Sequence, residues 1–177
     1  DLQADKSSVF RVSTNGDIYS GSKGSVFSGG ADLAERYSSA DTLEPGEVVA
    51  LDYMNDHSVR RATKPYQSDI LGVVSTNPGF VAGSYTKGSF PVALVGRVPV
   101  RITSEGGDIM PGDRLVAATK PGYAMKASRP GRTVGIAMSA PNPAKMKPCA
   151  DQKMFQNLVC GEVMMFVNLS DYAGPLK

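Results

Sequence analysis

Residues 43–52 read LEPGEVVALD, and residues 109–118 repeat the same pattern as IMPGDRLVAA. Each copy has a Pro-Gly pair, then an acidic residue, then an apolar run typical of a β-strand. Proline at the second position of a turn and glycine at the third is the type II signature, because glycine tolerates the positive φ needed there. The two copies therefore predict two β-units, each opened by a Pro-Gly turn.

Further matches follow the two copies in the same order. ILGVVS (70–75) corresponds to TVGIAMS (133–139), and VGRVPVRI (95–102) corresponds to CGEVMMFVNL (160–169), so that Gly96 matches Gly161. Ordered self-similarity of this kind favours an internal duplication and a barrel or clip-like body. The alternative is that Pro-Gly turns before strands are common in any all-β protein.

The rest of the chain also favours short strands. Gly and Pro are frequent, and the β-branched or apolar runs between them are short. Only two short helices are predicted, at 32–39 and 150–158. The fold class predicted is all-β, with strands at 8–14, 47–52, 69–76, 91–103, 113–119, 133–139 and 161–169.

The first thirty residues form a separate piece in this prediction. FRVSTNGDIYSG (10–21) places an Asn-Gly pair between two strand-like runs, the strongest short-range signal for a hairpin. SGSKGSVFSGG (20–30) is a Gly/Ser-rich connector. We therefore predict a stalk-like hairpin and linker over 1–30 and a β-rich domain over 31–177. Because a lone hairpin is marginal in water, it would need the main domain or a neighbouring chain to bury its apolar face, and we expect a homo-oligomer.

Several classes of function are not indicated. The net charge of +2 is too small for a nucleic-acid partner, and no apolar run is long enough for membrane insertion. The only histidine, His57, lies in a polar, turn-like stretch, and neither cysteine belongs to a metal-binding spacing, so no metal site is predicted. No glycine-rich loop precedes a helix as a phosphate cradle would, and no cofactor is expected.

The two cysteines, Cys149 and Cys160, bracket a polar insertion between two predicted strands. A bridge between them would close a short loop and stabilise the fold by ~2–3 kcal/mol in the chain-entropy model. It would also indicate an oxidising compartment. The sequence supports equally well the alternative that both thiols are unpaired in a protein made in the cytosol.

The stretch GGADLAERY (29–37) places Asp32 and Glu35 three residues apart, just after a glycine pair. If a helix begins here, this spacing matches a capping box, with Asp32 at the N-cap and Glu35 at N3. The same spacing also puts both carboxylates on one helical face, where they could act together in acid–base chemistry. The residues alone favour the cap.

Six segments resemble the C-terminal autoproteolytic chaperone domain of phage appendage and tail-spike proteins, the G2 group of self-cleaving peptidases. They are GADLAERY, LGVVSTNPGFVAG, PVALVGRVPVRI, IMPGDRLVAA, GYAMKA and GEVMMFVN. The resemblance covers residues 29–169, with the motifs in the same order. The upstream FRVSTNGDIYSG is similar to the stalk strands that precede such domains in trimeric fibres.

The resemblance implies a function and a site. The domain would assist assembly of a homotrimer with its upstream fibre segment, on a virion tail or extracellular surface. It would then cut its own chain at Ala31–Asp32 in a single turnover, with Glu35 as the catalytic carboxylate and Asp32 at the new N-terminus. The alternative is a structural or adhesive module of the same fold that does not cleave.

Overall fold

Strands make up nearly all of the regular structure, so the all-β prediction is confirmed. The computed structural model describes residues 2–4, 7–14, 18–20, 28–150, 154–155 and 157–174. Within those ranges two single-turn 3-10 helices occur, Ser104–Gly106 and Pro143–Lys145. The strands there are β1 (Leu2–Ala4), β2 (Ser7–Val12), β3 (Ile18–Ser20), β4 (Asp32–Ser38), β5 (Val48–Leu51), β6 (Val59–Arg61), β7 (Ile70–Val74), β8 (Phe80–Ala82), β9 (Ser89–Thr103), β10 (Arg114–Ala117), β11 (Ala124–Lys126), β12 (Gly131–Ala137), β13 (Lys147–Pro148) and β14 (Val159–Tyr172).

The N-terminal strands form a small antiparallel sheet of their own, in the order β1-β2-β3. β2 and β3 pair as the sequence predicts for a hairpin, with Val12 opposite Ile18. The predicted Asn-Gly turn at 15–16 and the linker residues 21–27 lie outside the described residues. Val12 and Ile18 are both exposed. The predicted division between 1–30 and 31–177 stays a prediction.

The remaining strands form one mixed sheet with the order β13-β14-β12-β10-β11-β9-β7-β5-β6. β14 also pairs with β9, so β9, β11, β10, β12 and β14 follow one another part of the way round a ring. The sequence predicted a barrel or clip-like body, and the structure has a partial ring of strands within an open sheet. β4 lies along the first half of β9, with β8 on its other side.

The predicted duplication is visible in the strand pairing. β5 pairs with β6 and with β7, and β7 pairs with β9. In the same way β10 pairs with β11 and with β12, and β12 pairs with β14. We call β5–β9 the first repeat and β10–β14 the second. The two meet where β9 and β14 run antiparallel.

The Pro-Gly turns explain why each repeat begins as it does. Gly46 and Gly112 have φ of +82° and +93°, the region that favours glycine. Each also donates its N–H across the sheet, Gly46 to Val74 O and Gly112 to Ala137 O, both at 2.8 Å. Val74 and Ala137 donate back to the acidic residue that follows each glycine. This is the G1 bulge, so one glycine ends the turn and starts the strand pairing.

The third sequence match, of VGRVPVRI (95–102) with CGEVMMFVNL (160–169), does not align residues that are equivalent in the structure. The glycine within β7 approaches the carbonyl oxygen of Ala93 on β9, and the glycine within β12 approaches that of Phe166 on β14. Ala93 and Phe166 are therefore equivalent, and Gly96 does not correspond to Gly161 as the sequence predicted. The glycine match is a chance alignment of two apolar strands.

The core has a main apolar cluster, a smaller one on the other face of β5, β7 and β9, and a third formed by Val116, Ala118, Met125 and Ala127. The main cluster draws on strands of both repeats, which ties them together. Its members include Val48, Val73, Ala93, Val98, Val100, Ile102, Leu115, Val134 and Met165. The smaller cluster consists of Leu43, Val49, Val59, Val74 and Val92.

The two predicted helices are not found. Residues 32–38 form β4, so the prediction of a helix over 32–39 is wrong. Of the second predicted helix, 150–158, the described residues Met154, Phe155 and Asn157 lie in turn or bend structure, and 151–153 and 156 lie outside the described residues.

Candidate processing site

The Ala31–Asp32 bond lies where the chain enters β4. Asp32 is the first residue of this strand, opposite Gly96 of β9. The next residue, Leu33, is opposite Phe80 of β8 on the other side. Asp32 therefore begins a strand held between two others, and its interpretation as a helix N-cap is wrong.

Backbone hydrogen bonds hold the peptide on both sides of this bond. The carbonyl of Ala31 accepts from Arg97 N–H at 3.0 Å, on the β9 side. The carbonyl of Asp32 accepts from Gly79 N–H at 2.8 Å, on the β8 side. The two carbonyls that flank the Asp32 amide are thus fixed from opposite directions.

Glycines allow the neighbouring backbone to come this close. Gly96 has a φ of +113°, and a Cβ atom there would lie 2.5 Å from Ala31 O and 2.6 Å from Asp32 Cα. A Cβ atom on Gly30 would lie 2.3 Å from the nitrogen of Gly79. Gly30, the second glycine of the pair before the bond, is therefore needed for close packing against Gly79.

The side chain of Asp32 is buried, and Ser75 is its neighbour. Asp32 Oδ2 and Ser75 Oγ are both buried and lack hydrogen-bond partners in the part of the chain that the structure describes. Burial raises the pKa of Asp32 above its ordinary value, and the Ser75 hydroxyl, which lies close to the carboxyl group without meeting hydrogen-bonding geometry, offsets part of that rise. The carboxyl group of Asp32 is therefore biased towards its protonated form.

The sequence did not identify Ser75. It lies just after β7, 43 residues beyond Asp32, and reaches the site because β7 and β4 flank the same part of β9. No alternation in VVST (73–76) marks it as buried, since Val73, Val74 and Ser75 are all buried.

Glu35 lies on the opposite face of β4. Asp32 and Ala34 are buried on one face, and alternation along a strand turns Glu35 and Tyr37 to the other. The Tyr37 hydroxyl donates to Glu35 Oε2 at 2.7 Å. Burial, and then this carboxylate, raise the pKa of Tyr37 to about 12. Within one chain the structure does not bring the two predicted carboxylates together.

A shallow groove of about 480 Å³ opens directly on the bond. Three of its apolar side chains, Leu33, Phe80 and Val95, are 42%, 64% and 44% exposed. The groove gives solvent access to the Ala31–Asp32 bond, and the carbonyl groups of both residues are fixed by hydrogen bonds. Its lining is Ser28, Gly30, Ala31, Asp32, Leu33, Gly79, Phe80, Val95 and Gly96.

Comparison with known proteins relates this fold to a phage protein. The structure of pre-mature bacteriophage phi29 gene product 12 superposes with a TM-score of 0.61 and 17% sequence identity, over 90% of this chain and 24% of that chain. The C-terminal fragment of the same protein superposes with a TM-score of 0.52 and 18% identity, over 77% of this chain and all of the fragment. The chain thus corresponds to about a quarter of the pre-mature protein.

The likeness is one of fold. No family model matches the chain, so membership of the G2 peptidases is not confirmed. No curated protein matches it in sequence either. The resemblance that the sequence suggested therefore agrees with these neighbours at the level of architecture.

Cys149 and Cys160 are joined by a disulfide in the structure. Cys149 is buried, and the bridge ties the short strand β13 to the start of β14. It closes a loop of 11 residues in sequence separation. The bridge closes the insertion between β13 and β14.

Other groups considered from the sequence lie apart from the site. His57 is exposed in a turn with a φ of +55°, as its polar surroundings predicted. Among the described residues, no three His, Cys, Asp or Glu side chains are grouped as metal ligands. No helix in that part of the chain is long and apolar enough to cross a membrane.

Proposed function

We propose that the chain is the C-terminal assembly domain of a phage appendage protein and cuts its own Ala31–Asp32 bond. The observation that carries the proposal is the setting of that bond, held on both sides, beside a buried carboxyl group and open to a groove. The fold of phi29 gene product 12 supports the appendage assignment, because this chain covers the whole of its C-terminal fragment. A virion tail is the location that follows.

The chemistry required is hydrolysis of one amide. Water adds to the carbonyl carbon of Ala31, and a proton passes to the nitrogen of Asp32 as the bond between them breaks. The Asp32 carboxyl group, whose pKa is raised by burial, is the proposed donor of that proton. The products are a carboxylate at Ala31 and an amino group at Asp32.

Glu35 remains in the proposal as the base that activates water, acting from a neighbouring chain. On its own strand Glu35 lies on the face opposite Asp32, and it is not among the residues that line the groove. A neighbouring copy that covers the groove would place a second carboxylate beside the Ala31 carbonyl. Cleavage would then occur only after assembly.

Assembly as a homotrimer has its own support. Val12 and Ile18 of the N-terminal hairpin are exposed, as are Leu33, Phe80 and Val95 around the groove. Apolar side chains grouped in this way mark surfaces that bind another chain. Light scattering should give three times the chain mass at micromolar concentration; a monomer there would contradict this part of the proposal.

Intact mass and N-terminal sequencing test the cleavage. The wild-type chain should yield a product that begins Asp-Leu-Ala-Glu, while Asp32→Asn and Glu35→Gln should each stay whole. When these two variants are assembled together, the Glu35→Gln chain should be cut and the Asp32→Asn chain should not. If Glu35→Gln is cut on its own, Glu35 is not the base.

A non-cleaving structural or adhesive module is the second candidate. The separation of Asp32 and Glu35 on two faces of β4 favours it, because one chain alone lacks a pair of carboxylates at the bond. A single full-length mass, in trimers aged under conditions where the fold is stable, would establish this alternative.

A further inference from the structure

The second repeat has an open groove on the outer side of β10. We call it the Arg114 groove, with a volume of about 570 Å³ and walls that include Gly112, Arg114, Lys126, Ala127 and Tyr172. Pockets of this size bind ligands in many proteins. It is separate from the groove at Ala31–Asp32, with which it shares no lining residue.

The duplication supplies an occupied counterpart. By position in the repeat, Arg114 corresponds to Val48, and Ala127 corresponds to Ala62. In the first repeat a Pro-Gly turn at 121–122 enters between the two strands at this place. Val48 N–H donates to Gly122 O, and Gly122 N–H donates to Ala62 O, both at 2.8 Å. One residue, Gly122, therefore bridges the strands through its own carbonyl and N–H groups.

The same bridge is missing from the second repeat. Ala127 N–H donates to Arg114 O at 2.8 Å, just as Ala62 N–H donates to Val48 O at 3.0 Å. The reciprocal bond from Arg114 N–H to Ala127 O does not occur in the described structure. A donor and an acceptor thus stand open at the position where Gly122 bonds in the first repeat.

Arg114 adds a charge to this opening. Its counterpart Val48 is fully buried in the core, whereas the Arg114 Nη1 atom is buried without a hydrogen-bond partner in the described chain. The neighbouring Lys126 is already paired with Asp113 at 2.9 Å. Desolvating part of a guanidinium without an anion is costly, so an anionic group from outside would be favourable here.

We propose that the Arg114 groove binds a turn of a partner protein that carries a glycine next to an acidic residue. The glycine accepts from Arg114 N–H through its carbonyl and donates its own N–H to Ala127 O, as Gly122 does in the first repeat. The acidic side chain pairs with the Arg114 guanidinium. This site is independent of the proposed cleavage.

A cyclic peptide with a Pro-Gly-Asp turn is the probe, and the same peptide with Asn in place of Asp is its control. Titrated into the full chain and followed by amide NMR, the Asp peptide should shift the Arg114 and Ala127 signals. It should bind at least tenfold more tightly than the Asn peptide. Arg114→Val, which copies the first repeat, should abolish that difference at an unchanged Tm. Arg97→Gln, which removes an exposed arginine outside the groove, should preserve the difference.

Three results would overturn the proposal. The first is equal binding of the Asp and Asn peptides, or shifts that lie elsewhere. The second is acetate alone reproducing the shifts with the affinity of the Asp peptide, which would make the groove a simple anion site. The third is a shift of Arg114 with protein concentration in the absence of peptide, which would make a second copy the occupant.

Discussion

At the scale of single residues, Asp32 gives the site a dependence on pH. Burial raises its pKa in the folded chain, so the folded state holds this proton more tightly than the unfolded state. The stability from this group is present at low pH and is lost as pH rises through the folded pKa. Asp32→Asn removes the titration, so its free energy of unfolding should fall less than that of the wild type as pH rises. Denaturant titrations across that range check this; parallel curves would mean that Asp32 is not desolvated.

Gly96 tests how tightly the chain is held at the cleavage bond. A Cβ atom at this position meets Ala31 O and Asp32 Cα at 2.5–2.6 Å, so Gly96→Ala should cost about 1–3 kcal/mol from overpacking, beyond the backbone strain. Gly88→Ala is the matched control, because Gly88 also has a positive φ of +82° but open space around its missing Cβ. Equal losses in the two variants would show that the close contact at Gly96 has no energetic weight.

At the scale of elements, the repeats offer a natural comparison of two ion pairs. Glu47 is buried, contacts Arg61 at 2.9 Å and accepts from Glu44 N–H. Its counterpart Asp113 pairs with Lys126 but is more exposed. The cost of breaking an ion pair rises with its burial, from under about 1 kcal/mol for exposed pairs to ~3–5 kcal/mol for fully buried ones. Both pairs here are partly buried, with the Glu47 and Asp113 side chains 6% and 22% exposed, so Glu47→Gln should lower the free energy of unfolding more than Asp113→Asn, as measured by urea denaturation.

The disulfide acts on one element junction, where β13 meets β14. Closing a loop this short should contribute ~3 kcal/mol, mainly by restricting the unfolded chain. Cys149→Ser with Cys160→Ser should lower the Tm, and reduction of the wild type should lower it equally. Two free thiols in protein from an oxidising compartment would contradict the bridge.

The sequence predicted some elements well and others poorly, for physical reasons. Pro-Gly turns and β-branched runs are local signals, and the two repeats and their strands follow from them. Residues 32–38 are different, because DLAERYS has good helix formers and a cap-like start, yet β8 and β9 offer pairing on both sides. Long-range pairing overrides local propensity there. Ser75 could not be placed beside Asp32 without knowing that β4 and β7 share β9 as a neighbour.

At the scale of the whole molecule, the order in which the chain is made has a consequence for its processing. Arg97 of β9 holds the Ala31 carbonyl, and β9 starts its pairing with β14 one residue away, at Gly96 opposite Val167. β14 follows β4 and β9 in the chain, so a chain that lacks β14 cannot complete the setting of the proposed cleavage bond. We expect chains truncated before Val159 to stay whole and chains that include all of β14 to be cut, as measured by intact mass. Trimming would then be confined to copies in which β14 has been made.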